Sequence, residues 1–391
     1  MRILYFATNF PYYSETFVIE EIKQLKEKGH EVVVCNFTWY KSEQDSLNFG
    51  VINNTKNPFL LFKAIVLNAT SNSSIFFNVE TWKSILSCIL KRPEFLWKYL
   101  YLLFSTDFLL SKVKEENIDC AISHFLFKST LAGHFICNRM KIPLHIRLHT
   151  KRSLYPGNVL RQVLSRASGL TAESRDVGHY YEDYLSKSRS IKVIRQSIDI
   201  EKLKEVDVPI KLEAEVKLIA IGRLVSKKGF DVLIEALSIC RDSVFEKVSL
   251  DIYGSGQLQL TLEKLVQNKG IEHIVSFRGV LEHQDLMKKL AMADLLIVPS
   301  IELSDDVDGV PTVIAESMVL GTAVLSTPIA GISELVVDNV TGFLAAPNSA
   351  DDLKTKLECL VNDRTKRESV IVAASDKVAS EYKITLASEL Y

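Results

Sequence analysis

Short apolar runs with strand character alternate with helix-length segments along nearly the whole chain. A helical crossover returns the chain to the end where the previous strand began, so successive strands run parallel. Parallel sheets carry helices on both faces, so their strands read as continuous apolar runs rather than as strict alternation. The pattern therefore predicts an α/β protein with mostly parallel sheets. The runs fall near Ile3–Ala7, Glu31–Asn36, Asp119–Ser123, Leu144–Leu148, Gly169–Ala172 and Lys192–Arg195. A second set follows near Val216–Gly222, Val248–Tyr253, Val275–Arg278, Leu295–Val298, Ala323–Ser326 and Gly342–Ala345.

Two sets imply two domains, and 391 residues is too long for one ordinary domain. The expected division is 1–200, a charged linker at 201–215 that contains Pro209, and a second domain at 216–372. A terminal helix over 373–391 is free to cross back to the first domain. A formal net charge of −1 argues against a dedicated nucleic-acid binder. Six scattered cysteines with no CxxC pair read as small core residues in a reducing compartment. The first residues have too short an apolar core for a signal peptide, and no run of 18 apolar residues suggests a membrane span.

Residues 58–112 stand apart. They read as helical and aromatic, dotted with Lys63, Lys83, Lys91, Arg92 and Lys98. Around Phe95–Phe104 little polar face is left, so the helix must be covered. The rest of the domain is one cover, and a membrane surface meeting the basic residues is the other. Residues 41–57 read as polar and turn-rich.

The stretch with most chemistry runs from Asp308 to Glu334. Asp308-Gly-Val310-Pro311-Thr312 is a loop entering a helix that reaches about Leu320 and stops at Gly321. Pro311 suits a first turn, and the unpaired N–H groups of that turn make an anion site. Glu316 lies one turn inside. Earlier, a strand ends at Gly222 and the basic loop Arg223 to Lys228 follows; arginine can fork onto phosphate oxygens and lysine can add a point charge. Tyr253-Gly254-Ser-Gly256 is a Gly-x-Gly turn between strand and helix. His124 and His149 each fall just after a strand, the end that faces the ligand crevice in doubly wound sheets. His124 reads as structural. Asp306-Val-Asp308 matches a three-residue Asp-x-Asp metal pattern that recurs by chance, and no zinc spacing occurs, so no metal site is read.

Four segments resemble glycosyltransferase family 4, the two-domain GT-B transferases. They are Ile221–Gly229, Ile252–Gly256, Val275–Gly279, and Asp308–Glu334 preceded by Val298-Pro-Ser300. The first half is similar to the capsular and exopolysaccharide branch through Asn9–Phe17, Ser123-His-Phe125, Arg147-Leu-His149 and Val193-Ile-Arg195. The resemblance implies two Rossmann-like domains facing a central cleft, the first for the acceptor and the second for the donor. It implies a retaining transfer from a UDP- or GDP-sugar to a growing, lipid-linked bacterial surface polysaccharide. It implies no metal or other cofactor, and a cytoplasmic protein in peripheral contact with the inner face of the cell membrane. Carried over by residue, Arg223 and Lys228 hold the donor diphosphate, and Glu316 binds the ribose hydroxyls. Asp308 touches the transferred sugar, Val310 to Thr312 offer backbone N–H groups, Gly254 lines the donor site, and His149 is the crevice histidine. The catalytic set is then Asp308, His149, Lys228 and Arg223. The family commonly has Glu where this chain has Asp308. Two alternatives share the architecture: a nucleotide-sugar epimerase, which would need no acceptor, and an inactive binding protein, which would not need the Arg223, Lys228 and Glu316 set.

Overall fold

The computed structural model describes residues 1–8, 10, 16–37, 50–71, 74–151, 153, 155–196, 198–206, 215–240, 248–303 and 309–382. The chain divides into two units, Met1–Ile194 and a second beginning at Arg195.

The first unit is built on a seven-stranded parallel sheet. Its strands are β1 (Arg2–Ala7), β2 (Glu31–Asn36), β3 (Gly50–Asn53), β4 (Cys120–His124), β5 (Leu144–Leu148), β6 (Gly169–Ala172) and β7 (Lys192–Val193). The order is β3-β2-β1-β4-β5-β6-β7. Ile3 pairs with Val32 on one side and Cys120 on the other, which fixes β1 in the interior of the sheet. Successive side chains of a strand point to opposite faces. So Leu4 and Phe6 enter the core beneath the helices Leu96–Val113 and Lys128–Met140, while Ile3 and Tyr5 enter the core beneath Thr16–Glu27. Each such side chain contributes roughly 1.5–3 kcal/mol by leaving water.

The second unit repeats the scheme with six parallel strands, β8 (Val216–Ile221), β9 (Val248–Tyr253), β10 (Val275–Gly279), β11 (Leu295–Val298), β12 (Ala323–Ser326) and β13 (Phe343–Leu344). Their order is β10-β9-β8-β11-β12-β13. Leu218 and Ala220 of β8 face one core, and Ile219 faces the other, with Val313, Ile314 and Met318 of the helix Thr312–Val319. In each unit the strand order reverses beside the first strand, between β1 and β4 and between β8 and β11. Ligand crevices of doubly wound sheets open at such points, outside the carboxyl ends of the strands.

Some features depart from the sequence reading. β3 lies in the stretch read as turns; it is a four-residue strand that, among the described residues, pairs with β2 at the edge of the sheet. Residues expected in the linker join the second unit instead: Ile200–Lys204 is a short helix capped by Asp199, and Leu203 is buried in that unit's core. The described start of the expected terminal helix, Ile371–Glu381, packs Ala374 and Val378 in the same core, and the part expected to cross back is not among the described residues. Residues 383–391 lie outside the described residues. Five cysteines are buried as expected, but Cys359 is exposed on the helix Ala350–Asn362. Among the described residues no helix is long and apolar enough to cross a membrane.

Candidate functional site

The second unit carries two βα turns, after β8 and β9, where glycines let backbones meet. Gly254, after β9, has φ +138°, and a Cβ there would sit 1.9 Å from the carbonyl oxygen of Gly222. Only glycine fits that approach. The turns are stitched by Gly222 N–H to Tyr253 O at 2.9 Å, Leu224 N–H to Ser255 O at 3.0 Å and Gly254 N–H to Gly279 O at 2.7 Å. The basic loop after β8 contains one 3₁₀ turn, Ser226–Lys228, and then Gly229 starts the helix Phe230–Ser238. Ile301 donates its N–H to the Lys227 carbonyl at 2.9 Å, tying this loop to the end of β11.

Within this frame Arg223 is exposed and Lys228 half-buried. The Lys228 side chain lies across Gly222, its Cε 3.4 Å from where a Cβ at 222 would be. Lys227, not singled out from sequence, is the buried member of the pair.

The helix Thr312–Val319 begins after Pro311, whose φ of −65° and ψ of 127° end the loop in extended geometry. Val310 is buried, and Pro311 and Thr312 are half-buried. Asp308 and Asp306 lie outside the described residues. Glu316 is buried, and His283 Nε2 meets its Oε1 at 2.8 Å. An ionised carboxylate only accepts, so the imidazole donates. His283 opens the helix His283–Met292 after β10 and is half-exposed. Sequence reading missed it, because 33 residues separate the partners. Arg195, from the stretch between the sheets, pairs with Glu334 at 2.9 Å and Glu381 at 3.2 Å, so the end of the Asp308–Glu334 stretch is tied to the terminal helix.

The first unit has a separate buried cluster. His149 follows β5, His124 ends β4 and Glu173 follows β6. Those strands are neighbours in the sheet, so their carboxyl ends align. His149 Nδ1 lies 3.1 Å from Glu173 Oε2, and His149 Nε2 lies 2.9 Å from His124 Nδ1. With Glu173 ionised, the proton order follows: His149 donates from Nδ1, and its Nε2 accepts from His124 Nδ1–H. His124 Nε2 is then a bare lone pair, buried, with no hydrogen-bond partner among the described residues and 3.9 Å from Glu21 Oε2. Glu21 pairs with Arg147 and accepts from the Tyr5 hydroxyl at 2.7 Å. Burial, with the Arg147 guanidinium close by, pushes His149 down to about 3. Burial, then the neighbouring His149 and Arg147, holds His124 well below its ordinary value. Both shifts favour the neutral rings. Phe17 and Phe125 pack on His149, with ring centroids 4.8 and 4.6 Å away.

Phe125 has φ +64°, an unusual conformation for a bulky residue and one that clusters at functional positions. It helps line a cavity of about 20 Å³ with Tyr5, Thr8, Phe10 and His124, enough for one water or hydroxyl. The structure thus joins His149 to His124, which sequence read as structural, and adds Glu173, Glu21 and Arg147. The rule that pointed to His149 points equally to Glu173, since both follow a strand. Nothing in the amphipathic run around Glu21 marks it.

Two doubly wound parallel sheets, with glycine-stripped turns and two cations after the first strand of the second sheet, define a glycosyltransferase of the GT-B type. The chain belongs to glycosyltransferase family 4: the family described as "Glycosyltransferase Family 4" matches residues 14–202 and "Glycosyl transferases group 1" matches 203–377. It is 30% identical to the amylovoran biosynthesis glycosyltransferase AmsK of Erwinia amylovora over 50% of this chain and 48% of that protein. It is 26% identical to the putative colanic acid biosynthesis glycosyltransferase WcaL of Salmonella typhimurium over 98% of this chain and 96% of that protein. The fold matches that of HepE of Anabaena, solved with UDP-glucose, at a TM-score of 0.74 and 19% identity, covering 100% of this chain and 98% of HepE. It also matches sucrose-phosphate synthase of Thermosynechococcus elongatus at a TM-score of 0.76 and 15% identity, covering 100% and 96%.

Proposed function

We propose that this glycosyltransferase moves a sugar, with retention, from a UDP- or GDP-sugar to a growing, lipid-linked surface polysaccharide at the cytoplasmic face of the cell membrane. The observation that carries the donor half is the joined set of turns after β8 and β9. There Gly254 lets the backbones after β8 and β9 pack against each other, and Lys228 lies across Gly222, so Arg223 and Lys228 bring positive charge to the joined turns. Breaking a glycosyl bond to a diphosphate leaves charge on the departing oxygens and an oxocarbenium-like carbon. Two cations and a helix N-terminus serve the first need, each such donor worth about 3 kcal/mol in a preorganised site. Glu316 is suited to two ribose hydroxyls, since one carboxylate accepts both. His149 and Asp308 take the roles toward the transferred sugar that the family resemblance gives them.

The acceptor class is supported by the likeness to AmsK and WcaL, named for amylovoran and colanic acid biosynthesis. The donor class is supported by the likeness to HepE, solved with UDP-glucose. The experiment is a thermal-shift screen of UDP- and GDP-sugars, followed by transfer assays on the stabilising donor. One base should raise the melting temperature by several degrees at saturating ligand. No shift with either base would end the reading, and release of a free epimer without an acceptor would favour the epimerase. The proposal includes metal independence, with Arg223 and Lys228 supplying the charge that a divalent ion would otherwise bring to the diphosphate. Full turnover in EDTA is expected; loss restored by Mg²⁺ or Mn²⁺ would return attention to Asp306 and Asp308.

A further inference from the structure

We infer that the outward face of residues 59–104 docks on an anionic lipid bilayer through aromatic and aliphatic side chains. Of the 22 large apolar side chains exposed among the described residues, 13 lie between Phe59 and Phe104. Their spacing is helical. On the helix Val79–Lys91, Val79, Trp82, Leu86 and Leu90 form one exposed stripe. The opposite, buried face holds Thr81 and Ser84 beside Ile85 and Cys88. That is the reverse of an ordinary surface helix, which turns its apolar stripe inward. The inner polar groups are satisfied, Ser84 by the Glu80 carbonyl and Gln162, both at 3.0 Å. On the helix Pro58–Thr70, Phe59, Phe62 and Val66 are exposed at the same spacing, opposite Leu61, Ile65 and Asn68.

Residues 74–77, ahead of the helix Val79–Lys91, are held in place. Buried Asp107 accepts from Ile75 N–H at 3.0 Å, Phe76 N–H at 2.7 Å and Ser74 Oγ at 3.1 Å, and from Asn68 Nδ2 at 3.0 Å. It thereby holds Phe76 against Phe77, Trp82 and Phe104, with ring centroids 5.3, 5.5 and 5.1 Å away. Phe77 is left 65% exposed and Trp97, on the next helix, 78% exposed. Exposed apolar side chains concentrated in this way mark an interaction site.

Charge selects the occupant. Residues 56–98 carry six cations and two carboxylates in a chain of net charge −1. Both carboxylates already have partners, Glu80 with Arg166 at 2.6 Å and Glu94 with Arg92 at 3.5 Å. Lysines beside exposed aromatics can keep their ammonium groups at the headgroups while their stems lie along apolar surface. This is the composition of a helix that rests in the interface of an anionic membrane. The inference deepens the membrane part of the proposed function but needs no donor, so its test reads binding alone.

The test is co-flotation of the full chain with phosphatidylcholine vesicles with and without phosphatidylglycerol, read alongside tryptophan emission. Trp82 and Trp97 are two of the three tryptophans. Binding to the anionic vesicles with a blue shift is expected. Phe62→Ser, Leu90→Ser and Trp97→Ser together should abolish both, with circular dichroism unchanged. Lys63→Glu, Lys83→Glu and Lys98→Glu should each weaken partitioning roughly five-fold, and less in high salt. Absence of flotation with either vesicle overturns the inference. So does flotation the apolar triple variant leaves intact, or a dimer in solution that this variant dissociates while vesicle binding is absent. Donor turnover that survives the triple variant separates the two readings.

Discussion

His283 donates its Nε2–H to Glu316 Oε1 across 2.8 Å, joining the first residue of the helix after β10 to a buried carboxylate in the helix Thr312–Val319. Glu316 is one turn from a helix start and only 7% exposed, so its orientation depends on such a partner. Losing a hydrogen bond to a charged group costs about 1.5–3 kcal/mol. His283→Ala should therefore raise the donor KM about ten-fold or more with a small change in kcat, and His283→Gln should recover part of it. Steady-state kinetics at varied donor concentration checks this. An equal fall in kcat with unchanged KM would show that the pair does not serve donor binding.

Lys228→Ala should cut donor turnover by about 100-fold or more, the scale of removing one preorganised donor in such sites. Glu316→Ala, which removes the acceptor for the ribose hydroxyls, should raise the donor KM at least as much as His283→Ala. Far-UV circular dichroism should be unchanged, because Lys228 is half-buried in a loop and alanine at 316 keeps the helix Thr312–Val319. Wild-type rates in both variants would overturn the donor assignment.

Gly254→Ala tests the turn itself. The added Cβ would lie 1.9 Å from the Gly222 carbonyl oxygen, at a φ of +138° that L-residues rarely adopt. The backbones after β8 and β9 must separate, so the variant should melt several degrees lower and lose donor-induced stabilisation. Gly270→Ala has nothing within 4 Å of its added Cβ and shares a positive φ of +67°. It should cost only the backbone strain, roughly 1 kcal/mol, and keep the donor shift. Equal donor shifts in both variants would show that the close approach is not needed.

The buried histidines set a pH dependence. Burial pushes His145 and His149 down to about 3 and His134 to about 4, and holds His124 well below its ordinary value. In the unfolded chain each titrates near 6.5. Between those values the unfolded state binds more protons, so stability rises with pH. The contribution is complete above about pH 6.5 and is lost as pH falls toward 3–4, at roughly 1 kcal/mol per pH unit per histidine. Asp107, raised by burial, acts in the opposite sense within the carboxylate range. Chemical denaturation at pH 7.5, 6.5 and 5.5 should show the first unit flat over the first interval and weaker over the second. A flat response throughout would mean these rings bind protons alike in the folded and unfolded chain.

Much of the fold was legible because buried parallel strands leave a local mark. Ile3–Ala7, Val216–Ile221 and Leu295–Val298 are short apolar runs whose burial on both faces leaves no other reading. The stop at Gly321, at φ +73°, and the start at Pro311 are likewise written in residue type. β3 escaped because a four-residue edge strand with half-buried side chains has too little apolar surface to register. Leu203 escaped because a five-residue helix inside a charged stretch looks like a linker.

The sequence by itself determined the alternation, the two units and the chemistry of individual positions: a cationic loop after β8, a carboxylate in the helix at 312, a histidine after β5. Those depend on residue type and neighbours a few positions away. Tertiary structure alone decided the pairings. His124, His149 and Glu173 meet because β4, β5 and β6 lie side by side, and His283 reaches Glu316 because the helices that bear them lie side by side. It also decided which side of the helices at 58–104 stays in water, because periodicity says that a helix has two faces, and only packing says which one is covered.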